Sequence, residues 1–88
     1  MKVEFRKSFE KDLSEIRNGD LLARIKAAIE EVENAASLLD ISNIKKLRAD
    51  GNYYRLRIGD YRIGFTRDED TITFVRVLHR KEIYRYFP

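Results

Sequence analysis

From Tyr53 to Phe65 polar and apolar residues alternate around a Gly-Asp pair: Tyr-Tyr-Arg-Leu-Arg-Ile-Gly-Asp-Tyr-Arg-Ile-Gly-Phe. Side chains along a strand point to opposite faces with period two. Arg55 and Arg57 therefore share one face, and Tyr54, Leu56 and Ile58 share the other. Gly59-Asp60 is a two-residue loop of the kind that closes a tight hairpin. One antiparallel hairpin with two faces of unlike character follows. A sheet with arginines on an open face is shaped to hold something polyanionic and stackable, and RNA is the leading candidate.

The rest of the chain covers the apolar face. Lys2–Arg6 alternates and reads as a strand. Ser8 is suited to cap a helix in which Phe9, Leu13 and Ile16 form one apolar stripe. Asn18-Gly19 ends that helix, and Asp20 caps the next. The second helix is expected to run to about Ala36, with Leu22, Ile25, Ile29 and Val32 on one side and Glu30, Glu31 and Glu33 mostly in solvent. Two helices so closely joined make an antiparallel hairpin. From Ser37 to Asn52 the pattern weakens to an irregular connection anchored by Leu38, Leu39, Ile41, Ile44 and Leu47, with a turn at Asp50-Gly51-Asn52. Strands follow over Tyr53–Ile58, Tyr61–Arg67 and Thr71–Leu78, the last two joined at Asp68-Glu69-Asp70. Ile72 and Phe74 fill one side of the last strand, while Val75 and Val77 make the other partly apolar, which favours a central position. The tail, Arg80–Phe87, is expected as a short helix or an extended segment. The predicted fold class is α+β in the order β-α-α-β-β-β: a small, mostly antiparallel sheet with a helical hairpin on one face. The other face stays partly open, and there Arg55, Arg57 and Arg62 gather.

At 88 residues and 43% apolar, the chain is expected to form a single domain, 1–88, with one small core. It has no cysteine, which excludes disulfides and thiolate metal sites, and its one histidine excludes a histidine cluster. The carboxylates are scattered or lie in one turn, without ligand spacing. No metal and no other cofactor is expected. No apolar run approaches a membrane span and no signal peptide precedes the first strand, so a soluble cytoplasmic protein is expected. The net charge of +3 is unevenly placed. Through Asn52, ten Lys+Arg cancel ten Asp+Glu; the remainder carries Arg55, Arg57, Arg62, Arg67, Arg76, Arg80, Lys81 and Arg85 against five acids. Three of those acids, Asp68, Glu69 and Asp70, belong to one turn. Such local asymmetry marks a binding face better than the overall charge does. Arginine is also the residue suited to bidentate phosphate contact.

Three segments carry a family resemblance: Asn43-Ile44-Lys45-Lys46-Leu47, Tyr53-Tyr54-Arg55-Leu56-Arg57-Ile58-Gly59-Asp60-Tyr61-Arg62-Ile63, and Val75-Arg76-Val77-Leu78-His79-Arg80-Lys81-Glu82-Ile83-Tyr84. With the order of elements, they resemble the RelE/ParE superfamily of toxins from type II toxin–antitoxin pairs, over essentially the whole chain. The resemblance implies the RelE-like microbial RNase-type fold. For RelE-type members it implies a translation inhibitor that enters the ribosomal A site and cuts mRNA. ParE-type members share the fold and instead inhibit DNA gyrase. Either type implies a cognate acidic antitoxin, RelB-like for the first, in a heteromeric complex, with no membrane partner. Position by position, Arg55 and Arg57 stand where two strand lysines often lie, and Arg62 matches the arginine of the third strand. Arg80 matches the arginine after the last strand, with Lys81 a neighbour able to substitute. Tyr84 matches the C-terminal tyrosine, and Tyr86 is close enough to compete. The implied catalytic set is Arg57, Arg62, Arg80 and Tyr84, and the implied RNA contacts are Tyr53, Arg55, Lys81 and Arg85.

Cleavage by 2′-hydroxyl attack needs a base, cations for the developing phosphate charge, and an acid for the leaving oxygen. Arginine serves the second need well and the first badly, because it stays protonated. His79 is the one side chain with an unperturbed pKa near neutrality and is a possible base. By parity it shares a face with Val75 and Val77, so the favoured reading is a histidine that ends a strand and bonds to the backbone. Tyr84 is equally suited to stacking, to proton donation or to packing of a terminal helix. Tyr53 shares parity with Arg55 and is a possible stacking platform. Tyr54 and Tyr61 read as core.

Overall fold

The computed structural model describes residues 1–48 and 51–88. The helical hairpin is α1 (Lys7–Ser14) and α2 (Gly19–Asn34). The strands are β1 (Lys2–Phe5), β2 (Ile44–Lys46), β3 (Tyr53–Ile58), β4 (Tyr61–Asp68) and β5 (Thr71–His79), and a last helix, α3, spans Ile83–Tyr86. Their order in the sheet is β1-β5-β4-β3-β2. β1 lies parallel to β5, and the other three pairings are antiparallel. The expected α+β fold and helical hairpin are present. One thing differs: a fifth strand, β2, forms inside the stretch read as irregular; the tail takes the first of its two expected forms, a short helix. Asp50, assigned to a turn from sequence, lies outside the described residues.

The core is one seam between sheet and helices. Leu56, Ile58, Ile63, Phe65, Ile72, Phe74 and Val77 meet Phe9, Leu21, Ile25 and Val32 there, all buried. Phe9, Phe65 and Phe74 pack with neighbouring ring centroids 5.6 and 5.8 Å apart, tilted as the ring quadrupoles prefer. Tyr54 stacks on Phe65 at 5.4 Å, which puts it in the core layer.

Local signals were displaced where tertiary contacts compete. Asn18, rather than Asp20, caps α2: its Oδ1 accepts the Leu21 N–H at 3.1 Å. Asp20 lies inside the first turn, where an acid suits the helix dipole. Ser8 is not a cap either. α1 already begins at Lys7, and the Ser8 hydroxyl donates to the Val75 carbonyl at 2.6 Å.

That last bond belongs to a series. β1 stops at Phe5, which leaves the outer edge of β5 unpaired beyond Phe74. The start of α1 takes over that edge. The Arg6 N–H donates to the Phe74 carbonyl, Ser8 to Val75, and the Val77 N–H donates to Asp12 Oδ2 at 3.1 Å. Backbone groups that would otherwise be orphaned are satisfied by a helix laid along the strand. A bulge falls in the same place: Phe65 pairs with Phe74 and Gly64 with Arg76, so Val75 is the extra residue. The bulge resets parity. Val77 joins Phe74 in the core instead of facing away from it, which corrects the two-sided reading of this strand.

Candidate nucleic-acid interface

The pairing registers assemble the face opposite the helices. Directly opposed residues on neighbouring strands share a face. Lys45 on β2 opposes Arg55 on β3, which opposes Gly64 on β4. The next rung is Arg57 opposite Arg62, and the rung on the other side is Tyr53 opposite Thr66. Four cations, Lys45, Arg55, Arg57 and Arg62, therefore stand on one surface.

Each is held differently. Arg55 donates from Nη1 to the Asn43 carbonyl at 3.2 Å, and its Nε is buried with no hydrogen-bond partner among the described residues. Arg62 folds back over the hairpin loop, its Nη1 donating to the carbonyls of Gly59 at 2.8 Å and Tyr61 at 3.0 Å. Arg57 is exposed. Arg80 reaches the same end of the sheet: its N–H donates to the Asp60 carbonyl at 2.7 Å, and its Nε lies 3.9 Å from the Asp60 carboxylate. Both of those side chains are well exposed, so the ion pair is weak and easily exchanged for a phosphate. Arg24 of α2 also arrives here, with a guanidinium nitrogen 3.2 Å from where a Cβ on Gly59 would stand.

The C-terminal segment crosses this face. Phe87 is buried over Gly64: a Cβ added to Gly64 would lie 2.5 Å from the Phe87 ring. Ile83 is fully buried beside β5, outside the main core. The tyrosine read as a stacking platform, Tyr53, packs edge-on against Phe87 with centroids 5.9 Å apart. The face is thus open at its Arg57–Arg62 end and roofed at its centre. On α3, Tyr84 is 57% exposed. It lines a trough of about 420 Å3 with Lys45, Leu47, Arg48, Phe87 and Pro88. Arg85 is exposed and faces Glu82 at 3.9 Å.

His79 is not brought to this group. It opposes Tyr61 in register, with ring centroids 5.6 Å apart, and lines a cleft on the helix side with Glu15, Ile16 and Val77. Its Nδ1 accepts the Lys81 N–H at 3.1 Å. Arg76, counted with the basic residues, is likewise engaged elsewhere. Asp12 receives its Nε at 2.7 Å and its Nη2 at 3.0 Å, and that hydrogen-bonded pairing raises the guanidinium pKa further. Lys45, Arg48 and Arg24 were missed by the sequence reading. The signal for Lys45 was the polar-apolar step at Ile44-Lys45, too short to reveal a strand by period alone.

A family model described as the ParE toxin of the type II toxin–antitoxin system, parDE, matches residues 3–84. The chain belongs to the RelE/ParE superfamily of toxins. It is 54% identical to "Toxin RelE3" of Methanocaldococcus jannaschii, over 100% of both chains. The fold matches the crystal structure of a RelB-RelE antitoxin-toxin complex from Methanococcus jannaschii with a TM-score of 0.80 and 50% identity, covering 97% of this chain and 99% of that one. The archaeal RelE-RelB complex from Pyrococcus horikoshii OT3 matches at 0.75 with 21% identity, over 93% and 97%, a likeness of fold. Among the described residues of this superfamily member, no helix is long and apolar enough to cross a membrane.

Proposed function

We propose that this chain is a RelE-type toxin, a ribosome-dependent endoribonuclease that cuts mRNA in the A site without a metal ion. It acts in the cytoplasm as one domain, residues 1–88, and is neutralised by an acidic RelB-like antitoxin. The observation that carries this reading is the rung structure of the sheet: Lys45, Arg55, Arg57 and Arg62 on one face, with exposed Tyr84 at its margin. The names of the similar proteins support RelE-type chemistry over gyrase inhibition, although the matching family model is described as ParE.

In the reaction, the 2′-oxygen attacks the adjacent phosphorus, its proton passes to a base, and the 5′-oxygen of the next nucleotide leaves with a proton from an acid. Arg57 and Arg62 hold the non-bridging oxygens, where charge accumulates. Arg80 exchanges its exposed contact with Asp60 for the same phosphate or its neighbour. Tyr84 orients the substrate or protonates the leaving oxygen. Arg55, Lys81 and Arg85 carry flanking phosphates, and the ribosome supplies the rest of the RNA geometry.

Primer extension on transcripts from cells producing the protein tests this. Cuts within translated reading frames, abolished by co-expressed antitoxin, support it. Intact messages with gyrase trapped on broken DNA would establish the ParE-type alternative instead.

A further inference from the structure

We propose that Arg24 of α2 is a further RNA contact: with Arg57 it holds a backbone phosphate in the cleft between α2 and the end of β3, off the sheet face. This role rests on the RNA-cutting reading of the arginine face and carries the bound strand past the edge of the sheet onto a helix.

Three elements bring guanidinium groups to one two-residue loop. Arg62 of β4 donates to the Gly59 carbonyl at 2.8 Å, and Arg80, after β5, lies 3.9 Å from the Asp60 carboxylate. Arg24 rests over Gly59, its Nη1 3.2 Å and its Nη2 3.7 Å from where a Cβ would stand. Gly59 has a φ of +56° and no side chain to hold that guanidinium off. With Arg57 beside Arg62, four arginines surround a loop whose own acid is Asp60 alone. They differ in what holds them. Arg62 is tied to carbonyls and Arg80 to a carboxylate, whereas Arg24 is exposed and forms no ion pair among the described residues. A guanidinium placed over a backbone α-carbon gives up no charged partner when it moves onto a phosphate, and its planar fork suits phosphate oxygens.

The cleft supplies the space. β2 pairs with β3 only as far as Leu56, opposite Ile44, so the edge of β3 has no strand beside it at Arg57, where the N–H donates to the Asn43 carbonyl. α2 flanks that end. Arg24, Ala27, Ala28 and Glu31 fall at i, i+3, i+4 and i+7, one stripe of the helix. With Arg57 and Asn43 they line a hollow of about 340 Å3, in which the two alanines leave room for a phosphate group. Glu31 stands roughly two turns along the helix from Arg24, so the anion belongs at the Arg24 end. Arg57 joins the cleft to the face: it lines the one and is the direct cross-strand neighbour of Arg62 on the other. Its guanidinium has donors enough for two neighbouring phosphates.

Lys26 provides the control for a test. It is exposed like Arg24, lies two residues on and so on the opposite side of α2, and lines a different hollow with Phe5, Leu13 and Glu30. Arg24→Ala and Lys26→Ala therefore remove the same charge from different places. Fluorescence anisotropy with a short single-stranded RNA is measured over a salt series. Arg24→Ala is expected to lower the slope of log affinity against log salt by roughly 0.7, the share of one phosphate on a single strand. Lys26→Ala is expected to keep the wild-type slope, with the melting curves of both variants alike. On programmed ribosomes, Arg24→Ala is expected to raise the half-saturating toxin concentration roughly three- to tenfold, with a smaller effect on the maximal cleavage rate. Weaker binding to programmed ribosomes alone assigns the phosphate to the message, and equal weakening on vacant ribosomes assigns it to ribosomal RNA. Equal slopes for the two variants, or a loss in Arg24→Ala confined to antitoxin binding, would each overturn the contact. Wild type that cuts mRNA, with equal slopes for the two variants, refutes the contact alone. Wild type that cuts nothing, with the slope still lowered by Arg24→Ala, refutes the RNA-cutting reading and leaves the contact standing.

Discussion

Asp12 on α1 holds Arg76 on β5 by both arms of its guanidinium, at 2.7 and 3.0 Å, and takes the Val77 N–H with the same carboxylate. The Arg76 guanidinium lies 5.1 Å from the centre of the Tyr86 ring. One buried acid thus ties the helical hairpin, the edge of β5 and the C-terminal helix together. Asp12→Ala is expected to destabilise the protein by about 3 kcal/mol, since removing one member of a buried pair strands the other. Urea melts measure this. The raised pKa of Arg76 means its folded form binds the proton more tightly. Its share of stability is therefore full at neutral pH and is lost only in strong alkali, as pH rises through the folded value. Stability of the wild type should show no loss from this pair across the neutral range.

Gly64→Ala is expected to dislodge the tail. The new methyl would fall 2.5 Å from the Phe87 ring, well inside contact distance. Overpacking of this kind typically costs about 1–3 kcal/mol. Because the strain meets a terminal segment, the loss should appear as faster hydrogen exchange in residues 83–87, with the core strands nearly unchanged. Activity should fall with it, because Tyr84 leaves with the tail.

Arg62→Ala and Arg80→Ala are each expected to relieve growth arrest with the fold intact. Arg62 bonds to the backbone carbonyls of Gly59 and Tyr61 in the contacts described above, and Arg80 pairs with an exposed carboxylate. Loss of one phosphate-stabilising group lowers a cleavage rate by roughly 10²–10³; substitution of the exposed Arg80 changes stability by about 0.5 kcal/mol or less, and of the half-buried Arg62 by about 1 kcal/mol. Toxicity assays beside thermal melts check both halves. Full toxicity in both variants removes the phosphate-clamp role.

His79→Ala should reduce cleavage less than Arg62→Ala does. His79 faces Tyr61 and the end of α1, with Nδ1 already accepting the Lys81 N–H. A pH–rate profile decides the matter. A limb near neutrality that disappears in the variant, without loss of stability, would make His79 the base after all.

The hairpin, and with it the placing of Arg55, Arg57 and Arg62 on one face, was legible because period-two alternation runs on both sides of Gly59-Asp60, over Tyr53–Ile58 and again over Tyr61–Phe65. The helices were legible from their apolar stripes, but their ends were not. Asn18 and Asp20 are both good caps by type, and only the path of the chain chooses between them. β2 spans three residues, shorter than any period can show, and exists because β3 offers it an edge. The bulge at Val75 hid the true facing of Val77, since nothing in Phe-Val-Arg-Val marks the skipped residue. The roof over the arginine face was also invisible. It depends on Gly64 leaving room for Phe87, a contact between residues remote in sequence.

The most direct test is single-turnover cleavage of mRNA on purified ribosomes programmed with a defined A-site codon. The wild type is expected to cut within that codon, without added divalent metal beyond what the ribosome needs. Arg57→Ala/Arg62→Ala is expected to bind the ribosome and cut at least roughly a hundredfold more slowly, given the stabilising groups removed. Equal rates for wild type and the double variant, or no cut in the A-site codon by the wild type, would contradict the account.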